Sequence, residues 1–214
     1  HEEIARRMAD RLSLVRRQPT RVIDWWSPTS GSATLLKAQY PQARLLPCGC
    51  DDQPLPEAPG TGTAPRWWQR LIGQPARAEG PAAPPTAELL WANMMLHWVD
   101  DLPALLPRWH AALEVDGFLM FSCFGPDTLK ELRAVYADLG WGPPGSPWID
   151  MHDLGDELVH AGFADPVMDM ERLTLTWDSP AALLAELRGL GCNTAPARQP
   201  GLRSRDWRRK LDAA

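Results

Sequence analysis

The sequence predicts an α/β protein built on a mostly parallel sheet, and three patterns support this fold class. Short apolar runs typical of strands alternate with segments of helical spacing. The run at 88–95 is apolar at nearly consecutive positions, as in a strand that helices cover on both faces. Strand-like runs at about 166–171 and 172–177 follow each other without a helix, which predicts an antiparallel edge pair.

The first half of the chain is predicted to alternate helix and strand. An opening helix carries apolar residues at a spacing of four and ends before Pro19. A strand at 21–25, a helix over about 31–40 and a strand at 43–48 follow it. The apolar residues of the opening helix are Ile4, Met8 and Leu12.

Prolines interrupt nearly every pattern between residues 51 and 86. This segment is predicted to be an irregular surface connection or a lid that covers a ligand, and the sequence leaves both interpretations open.

Regular patterns return at 88–95, which is predicted to be a buried strand. Asp100 and Asp101 are candidate caps for the helix that follows, and Pro107 predicts either a kink in that helix or a later start. Gly117 then leads into a central strand at 118–124.

Three further helices are predicted in the last part of the chain. The first begins at 125–127 and ends at Gly140, and the second covers about 152–161. The third opens with Ser179 as its cap and Pro180 in its first turn.

Composition limits the possible function classes. A chain of 214 residues with 44% hydrophobic content fits one buried α/β domain, residues 1–214. The net charge of −5 gives no support for nucleic-acid binding. Because no apolar segment is long enough to span a membrane and no signal segment opens the chain, we expect a soluble cytoplasmic protein. The four cysteines are too scattered for a disulfide framework.

Four stretches carry a specific family resemblance. They are "LLWANMMLHWVDDLPALL" (89–106), "DGFLMFSCFGPDTLKELR" (116–133), "DMHDLGDELVHAGFADPVMDMERLTLTW" (150–177) and "ALLAELRGLGCNT" (182–194). Together they resemble the malonyl-acyl-carrier-protein O-methyltransferases of biotin synthesis, which belong to the class I S-adenosylmethionine (SAM) methyltransferases. The resemblance implies a Rossmann-like fold, SAM as cofactor and acyl carrier protein as partner.

The reaction that the resemblance implies is methyl transfer to the free carboxylate of a carrier-bound malonyl group. Such a carboxylate is ionised at pH 7, so the reaction requires no general base. Alignment and desolvation of the carboxylate would supply most of the catalysis. The sequence therefore assigns no catalytic residue.

The loop after the first strand departs from the family pattern. The family ends this strand in an acid and continues with a D-x-G-x-G-x-G turn, and Asp24 matches the acid. Trp26, Pro28 and Ser30 stand where the glycines would be, and Gly31 remains. Glycines at such a turn permit unusual backbone angles and close amide contacts with the ligand. We therefore expect SAM binding to be weakened or lost.

Two further cofactor positions are altered, and one is retained. Gly49 aligns with the acid that accepts hydrogen bonds from the ribose, and Asp51 could replace that acid only through a bent loop. Glu79 is the nearby candidate for the acid that faces adenine. Asn93 matches the family, with a plain strand-end role as its alternative. The cofactor-binding candidates are Asp24, Trp26, Gly31, Asp51, Glu79 and Asn93.

These residues leave two functions open. The chain is either a methyltransferase with an unusual SAM loop, or a catalytically silent relative without cofactor that binds a partner or carrier protein. A separate hypothesis is that the tryptophan pairs at 25–26 and 67–68 stack into the space that a cofactor would occupy.

Three other features have both a functional and a structural interpretation. His97 and Trp98 follow the strand at 88–95 and either lie near the methyl acceptor or pack at a helix start. His152 has acidic neighbours, which are typical of a helix cap, so no metal site is predicted. The basic tail at 198–210 is either a solvated tail or a docking surface for an acidic carrier protein.

Overall fold

The computed structural model describes residues 1–26, 31–49, 86–190, 193, 195, 197–198 and 204–214. The chain divides into two compact units. The first unit contains His1–Cys123 and Glu157–Ala164, and the second contains Phe124–Asp156 and Asp165–Ala214. That both belong to one domain stays a prediction.

A parallel sheet forms the centre of the first unit. Its described strands are β1 (Arg21–Trp25), β2 (Arg44–Cys48), β3 (Ala87–Asn93) and β4 (Leu113–Ser122). They lie in the order β2-β1-β3-β4, and each neighbouring pair is parallel. With helices packed against this sheet, the predicted α/β fold class is confirmed, as is its Rossmann-like character.

Two helices pack against one face of the sheet. They are α1 (Glu2–Leu12) and α2 (Ala33–Gln39). Both elements begin and end close to the predicted bounds. Because side chains alternate along a strand, every second residue of β1 and β3 reaches this layer. The buried residues of the cluster are Ala5, Met8, Leu12, Val22, Leu36, Tyr40, Leu89 and Trp91.

Aromatic side chains fill the layer that contains helix α3 (Leu102–Ala111). The ring of Trp109 lies 5.7 Å from that of Trp25 and 5.7 Å from that of Phe121. Trp109 is fully buried and Trp25 nearly so. Burial of a large apolar side chain contributes about 1.5–3 kcal/mol, so this cluster fixes the end of β1 firmly in the core.

The start of α3 follows the cap signal rather than the proline. The Asp101 side chain accepts a hydrogen bond from the Ala104 amide at 2.9 Å, and the helix begins at Leu102. The alternative of a later start is therefore wrong, because the cap and Pro103 in the first turn suit a helix N-terminus. Pro107 lies inside the helix.

Strand β4 begins at Leu113, five residues earlier than the predicted strand at 118–124. The extra residues pair Leu113 with Ala87, after which the register shifts before Leu89 pairs with Phe118. Val115 is 89% exposed, so the hydrophobic pattern that predicts a buried strand is missing from this first part.

The described part of the chain continues with helices α4 (Lys130–Asp138), α5 (Met151–His160) and α6 (Pro180–Gly189). The predicted start of α4 at 125–127 is wrong, because Leu129 has a left-handed backbone (φ 54°) and the helix begins after it. The predicted cap of α6 is confirmed, since Ser179 Oγ accepts from the Ala182 amide at 3.2 Å.

The antiparallel edge pair predicted at 166–171 and 172–177 is not observed, and both segments are irregular. Their apolar side chains gain little burial, with Val167 92% and Leu175 61% exposed. Without that burial, nothing offsets the entropy cost of an ordered strand. A side-chain contact engages the segment instead, because Arg172 binds the Asp127 carboxylate at 2.7 Å.

A final helix, α7 (Arg205–Ala213), was not predicted. Ser204 Oγ accepts a hydrogen bond from the Trp207 amide at 3.1 Å, which is an ordinary N-cap. Trp207 and Leu211, four residues apart, form its apolar side, and Leu211 is buried. These two signals could have predicted the helix, but the many charges around them are also typical of a solvated tail.

Within the described parts of the chain, each helix is too short or too polar to cross a membrane. The proline-rich segment predicted at 51–86 lies outside the described residues, except for Thr86.

Candidate cofactor site at the carboxyl end of the sheet

The strand order creates a crevice position at the carboxyl end of the sheet. From β1 the chain continues to β2 on one side, whereas β3 lies on the other side of β1. Ligands of open parallel sheets bind where the strand order reverses in this way, outside the carboxyl ends of the strands. The last residues of β1 and β3 are therefore candidates for a ligand-binding site.

Two buried polar side chains lie at these strand ends. Asp24 is 1% exposed and pairs with Trp91 in the register between β1 and β3. Asn93 is fully buried and lies two residues beyond Trp91, so it points to the same face of the sheet as Trp91. The structure thus brings the predicted residues Asp24 and Asn93 to one face of adjacent strands.

The Asp24 carboxylate influences a neighbouring thiol. Burial, and to a smaller degree the charge of Asp24, raise the pKa of Cys48 to about 11. Cys48 ends β2 and is 2% exposed. Its thiol therefore stays protonated and unreactive at pH 7.

Hydrogen bonds on both sides fix the Asn93 amide. Ser122 Oγ donates to Asn93 Oδ1 at 3.0 Å, and the same hydroxyl accepts from the Met94 amide at 3.0 Å. Asn93 Nδ2 donates to the His1 carbonyl at 3.1 Å. Sequence reasoning missed Ser122, although its place at the end of β4, opposite Asn93 in the register, could have indicated it.

The first residues of the chain also lie beside Gly31. Gly31 has φ 65°, a left-handed conformation that favours glycine, and it precedes α2. A Cβ atom at this position would lie 3.4 Å from Glu2 Cγ. Gly31 and Asn93 therefore both lie beside the first residues of the chain.

A second serine near Gly31 connects α2 to the sheet. Trp91 Nε1 donates to Ser32 Oγ at 2.7 Å, and both residues are fully buried. A buried hydrogen bond of this kind holds the beginning of α2 against β3. Sequence reasoning missed Ser32 as well, because a serine before a helix normally indicates only a cap.

Trp26 has a left-handed backbone conformation, which is typical of glycine. Its φ is 56°, which is uncommon for a residue with a Cβ atom and costs about 1–2 kcal/mol. Its indole lies 6.5 Å from that of Trp98, with the ring planes tilted by 52°. Trp98 ends a short 3₁₀ helix, Leu96–Trp98, and is 46% exposed.

Trp25, which also belongs to the stacking hypothesis, lies elsewhere. Trp25 points into the core against Trp109, so it does not share the position of Trp26. Residues 67–68 lie outside the described residues, as do Asp51 and Glu79. Gly49 is buried directly after β2.

His97 lies beside this aromatic pair. Its ring is 5.3 Å from the ring of Trp98 and 6.2 Å from that of His1. Burial lowers the pKa of His97 to about 4, so the imidazole is neutral at pH 7. Both interpretations of His97, packing and contact with an acceptor, stay open.

His152 takes part in a local turn at the start of α5. The Asp150 carboxylate accepts a hydrogen bond from the His152 amide at 2.9 Å and lies 2.8 Å from the His152 ring. Among the described residues, no group of three or more histidine, cysteine, aspartate and glutamate side chains could hold a metal ion.

Comparison with known proteins identifies the family. No family model matches the chain. A malonyl-[acyl-carrier protein] O-methyltransferase of Laribacter hongkongensis is 40% identical over 99% of this chain and 74% of its own length. Proteins of the same name from Gallionella capsiferriformans and a Methylovorus species are 37% and 35% identical, over 98% and 99% of this chain. The chain belongs to this O-methyltransferase family.

The described residues suit the sulfonium and amino groups of SAM better than its ribose. SAM carries positive charge on its sulfonium and amino groups, which matches the chemistry of the Asp24 carboxylate and of indole faces. The ribose hydroxyls are best bound by an acceptor, and Gly49 offers no side chain for this task.

The left-handed backbone at position 26 yields a stability prediction. We expect Trp26→Gly to be more stable than Trp26→Ala by about 1 kcal/mol, because alanine retains the Cβ strain and glycine does not. Both variants lose the indole, so the difference isolates the backbone. Urea unfolding of the two proteins measures it, and equal stability would contradict a strained turn.

The lowered pKa of His97 yields a pH prediction. Because the folded-state pKa is about 4 and the ordinary value is 6.5, the unfolded chain binds the proton first. The contribution of neutral His97 is therefore present above pH 6.5 and is lost as the pH falls towards 4. We expect the stability advantage of the native protein over His97→Gln to shrink across this range. Unfolding free energies at several pH values test this, and a constant difference would contradict it.

Proposed function

We propose that this chain transfers a methyl group from SAM to the free carboxylate of a malonyl group held on acyl carrier protein, with a weakened affinity for SAM. The observation that carries the proposal is the likeness to proteins of that name, 40% identical over 99% of the chain. The buried pair Asp24 and Asn93 at the reversal of strand order adds a structural argument.

The described residues can serve such a reaction by binding and orientation. The malonyl carboxylate is ionised at pH 7 and acts as the nucleophile without a base. SAM, when bound, supplies the electrophilic methyl group. Asp24 offers a negative charge for a cationic ligand, and Ser122 fixes the Asn93 amide at the same edge. Alignment of this kind is an effective source of rate enhancement.

Weakened SAM affinity is supported by two positions. Trp26 places an indole where the family pattern has a glycine, and its left-handed backbone costs free energy. Gly49 removes a charged acceptor for the ribose. A hydrogen bond to a charged group contributes about 1.5–3 kcal/mol, so the loss of one lowers affinity by about tenfold or more.

Helix α7 supports docking of an acidic carrier protein. It carries four basic residues and two acidic ones, and Arg209 is 80% exposed. The basic residues lower the pKa of Asp206 through hydrogen bonds from Arg209 and Lys210. The net positive charge of this helix complements an acidic surface.

A silent partner-binding module is the second candidate function. It is favoured by the contacts of the first residues of the chain, because the His1 carbonyl accepts a hydrogen bond from Asn93 and Glu2 lies next to Gly31. In this case the site positions are occupied by the chain itself rather than by SAM.

Methyl transfer to a malonyl-loaded carrier protein distinguishes the two functions. We expect methylation of the carrier in the presence of SAM, detected by mass spectrometry of the intact carrier, and a rate that falls as salt is raised. Malonyl-coenzyme A is the control acceptor, whose rate does not depend on carrier docking. If calorimetry shows no binding of SAM or of S-adenosylhomocysteine at millimolar concentration, the silent module is supported instead.

Position 49 offers a gain-of-affinity prediction. We expect Gly49→Asp to bind SAM about tenfold more tightly, because it restores a charged acceptor after β2. Gly49→Asn, which has the same shape without the charge, is the matched control and should gain less. Calorimetric titration measures both, and an aspartate that improves nothing would show that Gly49 does not limit the affinity.

A further inference from the structure

Two indoles meet at the reversal of strand order. Trp26 follows the last residue of β1, and Trp98 lies five residues beyond the end of β3. Their ring centroids are 6.5 Å apart, and the ring planes are tilted by 52° rather than parallel. The two rings are therefore tilted against each other, and this arrangement of Trp26 and Trp98 is called the wedge below.

The chemistry of this wedge suits a cation. The face of an indole is electron-rich and attracts a cation within about 6 Å of its centroid, more strongly than phenylalanine or tyrosine does. Trp98 keeps 46% of its surface exposed, so a ligand can still reach it.

The surroundings of the wedge favour the same ligand. The carboxylate of Asp24 lies two residues before Trp26 and adds negative charge at this end of the sheet. His97 is adjacent to Trp98 and is neutral at pH 7, so its ring places no competing positive charge beside the indoles.

The backbone of Trp26 is a second, independent observation. A left-handed conformation at a large residue costs free energy, and strained residues of this kind cluster at ligand clamps and active sites. The Trp26 indole lies beside that of Trp98, whereas Trp25 points into the core.

We infer that Trp26 and Trp98 bind the sulfonium centre of SAM through their indole faces. This inference rests on the proposed function, because it assigns the contact that offsets part of the affinity lost at the glycine positions. It also makes a chemical distinction: S-adenosylhomocysteine has a neutral thioether in place of the sulfonium and gains no cation–π attraction.

Calorimetric titration of Trp98 variants with the two ligands tests the inference. Trp98 is exposed, so its replacement leaves the core intact. We expect Trp98→Leu to weaken SAM binding by about fivefold and to change binding of S-adenosylhomocysteine by less than about twofold. Trp98→Phe, which keeps an aromatic face, should recover part of the SAM affinity. An analogue with an amino group in place of the sulfonium should follow SAM.

The other outcomes overturn the inference in different ways. Equal weakening of both ligands would show plain packing, and unchanged affinities would show that Trp98 makes no contact. If the native chain binds neither ligand, the inference and the proposed function fail together. If SAM binding depends selectively on Trp98 but no malonyl carboxylate is methylated, the proposed function fails and the inference stands.

Discussion

The parallel pairing of β1 with neighbours on both sides is the constraint on which the rest of the site depends. Because β1 lies between β2 and β3, its last residues are enclosed from both directions. Asp24 is thereby buried next to β3, while Trp25 anchors the strand in the aromatic core. The chain must then leave the sheet abruptly, and Trp26 does so in a left-handed conformation.

The hydrogen bonds of Asn93 connect the ends of β3 and β4 with the residue before α1. Ser122 of β4 and the carbonyl before α1 fix the amide from opposite sides. Buried polar groups of this kind are costly unless they are satisfied, so each partner restricts the others. The affinity of this edge for a ligand is therefore a property of β3, β4 and α1 together.

Local sequence signals predicted most of the fold around this edge. The apolar runs predicted β1, β2 and β3 within one or two residues, and Asp101 and Ser179 marked their helices correctly. The apolar runs in 166–177 predicted strands that are absent, because propensity becomes a strand only where a neighbouring surface buries it. Helix α7 was missed because its many charged residues are typical of a solvated tail, although Trp207 and Leu211 form a short apolar side.

The site could be predicted in part. Asp24 and Asn93 follow from the ends of apolar runs, and their place on one face follows from strand periodicity. Ser32 could not be predicted, because a serine before a helix normally indicates only a cap and its partner Trp91 lies far away in the chain. Ser122 could have been found only from its place opposite Asn93 in the register. The tilt between Trp26 and Trp98 likewise depends on backbone angles that composition does not reveal.

The buried thiol of Cys48 allows local opening at this edge of the sheet to be measured as a rate of thiol modification. With a pKa of about 11 and 2% exposure, Cys48 resists alkylating reagents as long as the strands stay closed. Modification at this position therefore requires a local opening of the sheet, and its rate reports how often that opening occurs. A ligand that binds at the strand ends would slow the labelling, which makes Cys48 an internal reporter of occupancy.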